Sequence, residues 1–400
     1  MAEVIVAGGG IGGLATALAV AARGHHAVVL ERAGEFAEIG AGIQLAPNGL
    51  HALDVLGVGA AVRATAVRMA ELRFMDGVTG AHVASLPLTE RYRRRFAGPY
   101  VVAHRAELHR ALLDACLAAD TVSLYAGAQV VDYARDTTSA TALLADGTGI
   151  TGDVLIGADG IHSAIRARLV GDGEPRISGI SVYRAVIPME RVPDALRFDR
   201  SVVWWAGPGC HFVHYPIAGG RFLNLAASRA DGGTEAVAGE RVHRDRVLRE
   251  LADLGGTAQR LLELGADWKT WMLVDRDPVS RWTDGRVALL GDAAHPMLHY
   301  AAQGACQALE DAVVLGARLA DARPDELPKR LAGYRDARHE RTTRVTLAAR
   351  ESIRLWHPAG AEAESRNALL GAMSADRLHD HVAWMHGFRV GGPGAAEAAA

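Results

Sequence analysis

Cysteine is scarce in this 400-residue chain: there are three, Cys116, Cys210 and Cys306. They are odd in number, far apart, and lack the close pairs that zinc or a redox disulfide needs, so a disulfide framework is excluded and no metal is expected. Long apolar runs are also missing. No stretch approaches the ~18 residues of a membrane-spanning helix, and no membrane partner is expected. Neither a basic leader nor a cleavage site precedes the first apolar segment, Val4-Ile5-Val6-Ala7, so the expected location is cytoplasmic. Charge of one sign is not in excess either. A net charge of −3 leaves no electrostatic footprint for nucleic acid. The one basic cluster, Arg91 to Arg95 with Tyr92 interleaved, reads as a solvated loop before Gly98-Pro99.

What is present suits a folded enzyme of one large or two intimately packed domains, with 50% hydrophobic and 22% charged residues. Residues 3–7 form a short apolar strand, followed by Gly8-Gly9-Gly10-Ile11-Gly12-Gly13 and a helical stretch from Leu14 to Arg23. A second apolar strand, Ala27 to Leu30, ends at Glu31, eighteen residues beyond Gly13. Strand, Gly-rich turn, helix and strand closed by an acid make the opening unit of a dinucleotide-binding fold. In such a unit Gly8 permits the tight turn, Gly10 lets backbone approach a pyrophosphate, and Gly13 lets helix pack on strand. The helix N-terminus then faces the phosphates, and Glu31 accepts from ribose hydroxyls. Arg32 is assigned to the same cofactor site. The pattern does not say which dinucleotide is bound.

Further on, a Gly-rich loop (Gly40-Ala41-Gly42) precedes a helix from about Pro47, strands fall near 70–76 and 81–86, and Arg105 opens another helix. Asp153 to Gly157 is a buried strand running into Ala158-Asp159-Gly160. From about 176 to 280 the character turns β-rich, with one helical stretch over about 240–263. Val287 to Leu290 returns the chain to the first domain, a helix starts near Gly304, and a long one follows Pro328. The expected division is therefore 1–175 and 281–325 for the cofactor domain, 176–280 for an inserted substrate domain, 326–390 for C-terminal helices, and 391–400 for a Gly/Ala-rich disordered tail. The long helix offers either a homodimer face or a surface for packing on its own domain.

Two later segments carry a resemblance. Gly157-Ala158-Asp159-Gly160 with Ser163, Ile165 and Arg166 resembles the "DG" motif of flavoprotein aromatic hydroxylases, and Gly291-Asp292-Ala293-Ala294-His295-Pro296 resembles their second FAD motif. The resemblance implies an α/β fold: a Rossmann-type FAD-binding domain, an inserted β-rich substrate domain and C-terminal helices. It implies FAD as non-covalent cofactor, NADH or NADPH as reductant, and O₂ and a small aromatic acid as substrates. It assigns Asp292 to the ribitol of FAD, Arg105 to the flavin nucleotide, and Asp159 to flavin and nicotinamide handling. Asp159 equally suits a cap of the following helix. The helix from Gly304-Ala305 would point its positive end at the flavin, where reduction places negative charge.

The segments Cys210 to Pro216, Pro296 to Tyr300 and Leu355-Trp356-His357 are similar to 3-hydroxybenzoate 6-hydroxylases, a likeness that spans nearly the whole chain. That subgroup forms gentisate, and its relatives include salicylate 1-hydroxylases and 6-hydroxynicotinate monooxygenases. The resemblance places His211 and Tyr215 against the substrate as candidates for taking the phenol proton. His299 stands where glutamine is common; it becomes the orienting group and leaves regiochemistry open. Gln44 and Tyr300 are candidate substrate contacts. Strand alternation puts His211, Val213 and Tyr215 on one face and Phe212 and His214 on the other. Trp204 and Trp205 are expected to pack the β domain, with one of them able to border the substrate. A non-catalytic flavin-binding redox protein is the alternative from another class, since cofactor motifs alone show binding and not turnover.

Overall fold

The structure, a computed structural model, describes residues 1–38 and 41–390. Gly40 of the expected Gly-rich loop and the tail 391–400 lie outside the described residues.

The first sheet has six strands in the order Thr283–Asp284, Val287–Leu289, Val154–Gly157, Glu3–Ala7, His26–Glu31 and Val122–Ala126. All but the two-residue edge strand run parallel. Parallel strands are covered on both faces, which is why Val4 to Ala7 and Val154 to Ile156 are continuously apolar and fully buried. The helices Ile11–Ala21 and Gly304–Leu319 cross very closely: a Cβ on Gly316 would stand 2.8 Å from the Ala19 carbonyl oxygen. The long helix Leu327–Glu351 turns Leu331, Tyr334, Thr342, Val345 and Ala349 inward. Its apolar face is therefore spent within its own chain.

The second sheet has eight strands in the order Ala238–Arg241, Lys269–Asp275, Arg176–Pro188, Phe222–Ala230, Cys210–Ile217, Ser201–Gly207, Glu71–Asp76 and His82–Pro87. The last two come from the N-terminal third of the chain. Glu71–Asp76 joins by parallel pairing with Ser201–Gly207, so this sheet is stitched from segments far apart in sequence. One face buries Tyr183, Trp205, Phe212 and Leu225 beneath the helices Arg244–Glu250 and Gly256–Glu263. Those two short helices replace the single one expected over 240–263. Leu251 and Leu254 are buried in the bend between them, where Leu254 also fills the space beside Gly77 and Gly207.

The basic cluster is a correction. It forms the helix Glu90–Phe96, because Tyr92 and Phe96, four apart, make an apolar stripe that buries both rings. The arginines occupy the remaining faces, with Arg91 and Arg95 paired to Asp376 and Asp380 of the helix Ala375–His386.

Candidate active site between the two sheets

Backbone packing explains the glycine turn. Gly8 has φ +109°, and a Cβ there would lie 2.3 Å from the Ala158 carbonyl oxygen. A Cβ on Gly13 would lie 1.9 Å from the Gly8 carbonyl oxygen. Gly10 differs, since a Cβ there would meet nothing within 4 Å. It fronts open space at the start of the Ile11–Ala21 helix, whose first amides have no side-chain cap. Both oxygens of Glu31 accept backbone amides, from Gly9 and from Ala33, each at 2.8 Å. The carboxylate thereby holds the turn, with acceptor capacity left for a ribose. Arg32 is exposed. Arg105 is exposed too and pairs with Glu38.

Asp159 accepts the Ile165 amide at 3.3 Å through Oδ2, while Ser163 supplies the cap of the Ala164–Leu169 helix. Asp159 Oδ1 is buried without a hydrogen-bond partner among the described residues. Burial pushes its carboxyl above the usual range, and the neighbouring hydroxyl and amides only partly oppose this. A buried acceptor left open is what a ligand donor would satisfy. Asp292 is exposed in the turn Gly291–Ala293, close to the start of the Gly304–Leu319 helix, where Gly304 and Ala305 follow an N-cap with no side-chain bond.

Two supports hold these motifs in place. Arg166, fully buried, donates to the carbonyls of Ala293 and Ala294 at 2.9 and 2.8 Å and pairs with Asp172, tying the first acidic motif to the second. Asp311 accepts the Gly291 amide at 3.0 Å, meets His295 at 2.5 Å and Arg338 at 2.6 Å, while Arg338 also pairs with Glu310. The available signal was the pair Glu310-Asp311 set between the apolar residues Ala308-Leu309 and Ala312 to Leu315.

The other wall is the open face of the second sheet. Register places Val182, Ser228 and His211 in one row, Arg184, Ala226 and Val213 in the next, and Val186, Asn224 and Tyr215 in the third. At the first row, His211 is buried with its Nδ1 3.0 Å from His357 Nε2. The rings of His299 and Tyr300 lie 5.9 and 5.0 Å away, centre to centre, and stack on each other at 5.0 Å. Tyr300 Oη is 3.3 Å from His357 Nε2, and Ser228 Oγ is 3.4 Å from His299 Nε2. Burial drives the His211 imidazole well below the usual histidine range, with His299 and His357 adding to the effect. Burial and then Arg184 push His299 down to about 3, and burial then Arg229 push His357 down to about 4. The cluster is neutral at pH 7.

At the third row, Tyr215 is buried beneath Gly42, where a Cβ would come within 2.4 Å of the phenol ring. Asn224 fixes that approach by accepting the Gly42 amide at 2.8 Å. Gln44 Oε1 accepts from Tyr100 at 2.7 Å, and burial pushes the Tyr215 hydroxyl up to about 12 against the opposing influence of Arg184 and then Gln44. His211 and Tyr215 thus stand at opposite ends of the face, about 13 Å apart along the strand at ~3.3 Å per residue. No hydrogen bond joins them directly. His214 faces the other way, buried among Phe198, Trp205 and Phe212, and burial holds it down to about 3. Trp205 packs that same core, whereas Trp204 sits on the site side with Trp356 at 5.3 Å. Cys210 and Cys306 are buried, their thiols pushed up to about 11 and about 12. Sequence reading did not single out Arg184, Asn224 or Ser228, and it noted His357 only within a similar segment.

A glycine turn on a parallel sheet, two acidic motifs at strand ends and a β-sheet wall carrying neutral imidazoles define a flavin-type dinucleotide enzyme. The family described as "FAD binding domain" matches residues 1–349, and the chain belongs to it. It is 45% identical over 386 residues to 3-hydroxybenzoate 6-hydroxylase 1 of Aquipseudomonas alcaligenes, covering 96% of this chain and 97% of that one. It is 40% identical to 3-hydroxybenzoate 6-hydroxylase of Polaromonas naphthalenivorans, over 97% of this chain and 96% of the relative. Among solved structures, Klebsiella pneumoniae HpxO complexed with FAD and uric acid superposes with a TM-score of 0.84 at 28% identity, covering 95% of each chain. The chain is an FAD-dependent aromatic monooxygenase that uses reduced nicotinamide and O₂. Among the described residues no helix is long and apolar enough to cross a membrane.

Proposed function

We propose that the chain hydroxylates 3-hydroxybenzoate at C6, giving gentisate, with water and oxidised nicotinamide as co-products. The observation that carries this is one buried strand face with a neutral imidazole, His211, at one end and the phenol of Tyr215, beside the Tyr100–Gln44 pair, at the other. The names of the 45% and 40% identical relatives support the substrate. C6 is para to the phenol, so removing the phenol proton raises electron density where oxygen must be added.

Gly8, Gly10 and Gly13 with the helix N-terminus would take the FAD pyrophosphate, Glu31 with Arg32 the adenosine side, and Arg105, Asp159 and Asp292 the flavin nucleotide. The Gly304–Ala305 amides would face the flavin ring. When bound, FAD supplies the electron route from NAD(P)H and the activation of O₂. The chain's part is orientation, exclusion of water and proton handling. With Nδ1–H of His211 donating to His357 Nε2, His211 Nε2 presents its lone pair to the phenol. His357 orients that tautomer, Tyr300 and His299 wall the ring, and Tyr215 with Gln44 holds the far side. Residues 1–175 and 281–325 form the cofactor part of this reading, except the hairpin Glu71–Asp76 and His82–Pro87, which extends the sheet of the substrate part 176–280, and 326–390 completes the wall at His357. The reaction belongs in the cytoplasm, where reduced nicotinamide is available.

The deciding experiment is product analysis of FAD-loaded enzyme with NADH or NADPH and 3-hydroxybenzoate, salicylate or 6-hydroxynicotinate, with CO₂ and peroxide quantified. Gentisate from 3-hydroxybenzoate is the expected result. Product from salicylate with loss of CO₂, or peroxide alone from every acid, removes the proposed substrate.

A further inference from the structure

The middle row of the site face carries a cation that the mechanism above does not use. Arg184 lies on the strand Arg176–Pro188, directly opposite Ala226, whose small side chain leaves the guanidinium room to rise over the face. Its neighbours in the row are Lys269 on one side and Ala226, Val213 and Trp204 on the other, none of which is anionic. Tyr183, Ala185 and Ile187, which alternate with it, all pack into the opposite core, so the site side is the one it takes. The guanidinium lies 5.8 Å from the centre of the Trp271 ring, a contact that holds a cation in place without neutralising its charge. Among the described residues no carboxylate pairs with it. The ionisable groups that sense its charge are the site's own: Tyr215 and His299, with Arg105 as a like-charged neighbour that adds to the cost of holding this half-buried guanidinium charged.

A half-buried, partly desolvated arginine with no acid partner is costly by itself and is balanced by an anion that arrives. We propose that Arg184 is the substrate-binding residue that pairs with the carboxylate of the aromatic acid. The inference rests on the proposed substrate class and deepens it. Alternate residues on a strand face are ~6.7 Å apart, so the step from the His211 row to the Arg184 row suits two groups set meta on one ring, a phenol at the imidazole and a carboxylate at the guanidinium. The planar guanidinium also supplies two parallel N–H donors to a carboxylate, a geometry lysine does not reproduce.

The test uses FAD-loaded wild type, R184Q and R184K. Equilibrium binding of 3-hydroxybenzoate and of its neutral counterpart 3-hydroxybenzamide is followed by the change each causes in flavin absorbance, and FAD affinity is measured alongside. R184Q is expected to weaken the acid about ten- to a hundredfold, in line with loss of one charged hydrogen-bonded pair, while changing amide binding less than about threefold. R184K should recover part of the acid affinity, and FAD should bind all three alike. Equal weakening of acid and amide, unchanged acid binding, or loss of FAD from R184Q with intact secondary structure overturns the assignment; the last would make Arg184 a flavin support. If wild type binds neither ligand, the phenolic-acid reading itself falls, an outcome distinct from a wild type that binds the acid and a variant that binds it equally.

Discussion

His211 owes its chemistry to burial. A histidine in water is half protonated near pH 6.5, but this one is desolvated and surrounded by two further imidazoles, so its proton affinity is lowered and the neutral form prevails across the physiological range. A base must be neutral to act, and activity is lost as pH falls through its pKa. The acid limb of kcat/KM assigned to His211 is therefore expected below the usual histidine value, with a flat profile from pH 8 down through 6.5. A limb centred above 6.5 would remove His211 as the base. His211→Asn should lower coupled hydroxylation by at least ~10², with nicotinamide oxidation continuing as peroxide release. His357→Gln should lower it less while moving the acid limb, the outcome expected of a residue that fixes the tautomer of His211.

Elements place these residues. The first turn carries three motif glycines with separate tasks, and substitution should separate them. Gly13→Ala drives a methyl group into the Gly8 carbonyl and should destabilise the apoprotein itself, seen as a lower melting temperature without added FAD. Gly10→Ala meets nothing in the protein and should leave apoprotein stability within ~0.5 kcal/mol while weakening FAD binding at least tenfold. Equal melting temperatures for the two apoproteins would show that Gly13 is not needed for packing. The first turn, the strands at 154–157 and 287–289 and the helix from Gly304 were legible because each is a local apolar run bounded by glycine or acid. The basic helix Glu90–Phe96 was obscured because four arginines outweigh a stripe made by only two aromatic residues.

At the scale of the molecule, the cofactor side is held by a buried ionic network. Arg338 on the long helix pairs with both Glu310 and Asp311 on the helix Gly304–Leu319, Arg341 adds a second cation to Glu310, and Asp311 in turn holds Gly291 and His295. Removing one partner of such a group strands a buried charge, so Arg338→Leu is expected to cost about 3–5 kcal/mol, read by denaturant unfolding. The carboxyl of Asp311 is held down to about 2 by His295 and Arg338 against the cost of burial. Its unfolded value is ~3.9. A depressed folded pKa contributes stability above the unfolded value and loses it as pH falls through the folded one. Denaturant midpoints should therefore drop between about pH 4 and pH 2, and the drop should be smaller in Arg338→Leu. The three thiols, all buried and pushed up to about 11 or 12, should react with a thiol reagent only after unfolding; a thiol titrating in the native enzyme would show that its segment opens.

The sequence by itself determined the cofactor class and the alternation of the substrate strand. Dinucleotide binding depends on a short contiguous turn, and a strand's two faces follow from its period of two. It also marked His211, Tyr215, Gln44, His299 and Tyr300 as neighbours of one site. Only the tertiary structure decided how they meet. His357 reaches His211 from 146 residues away, Asn224 draws Gly42 over Tyr215 from 182 away, and the hairpin of Glu71–Asp76 and His82–Pro87 crosses to the second sheet. These contacts follow from strand register and helix packing between distant segments, whereas sequence periodicity reports only which way each segment faces. Arg184 shows the same division: its residue type was visible, but its lack of an acid partner depends on which strands lie beside it.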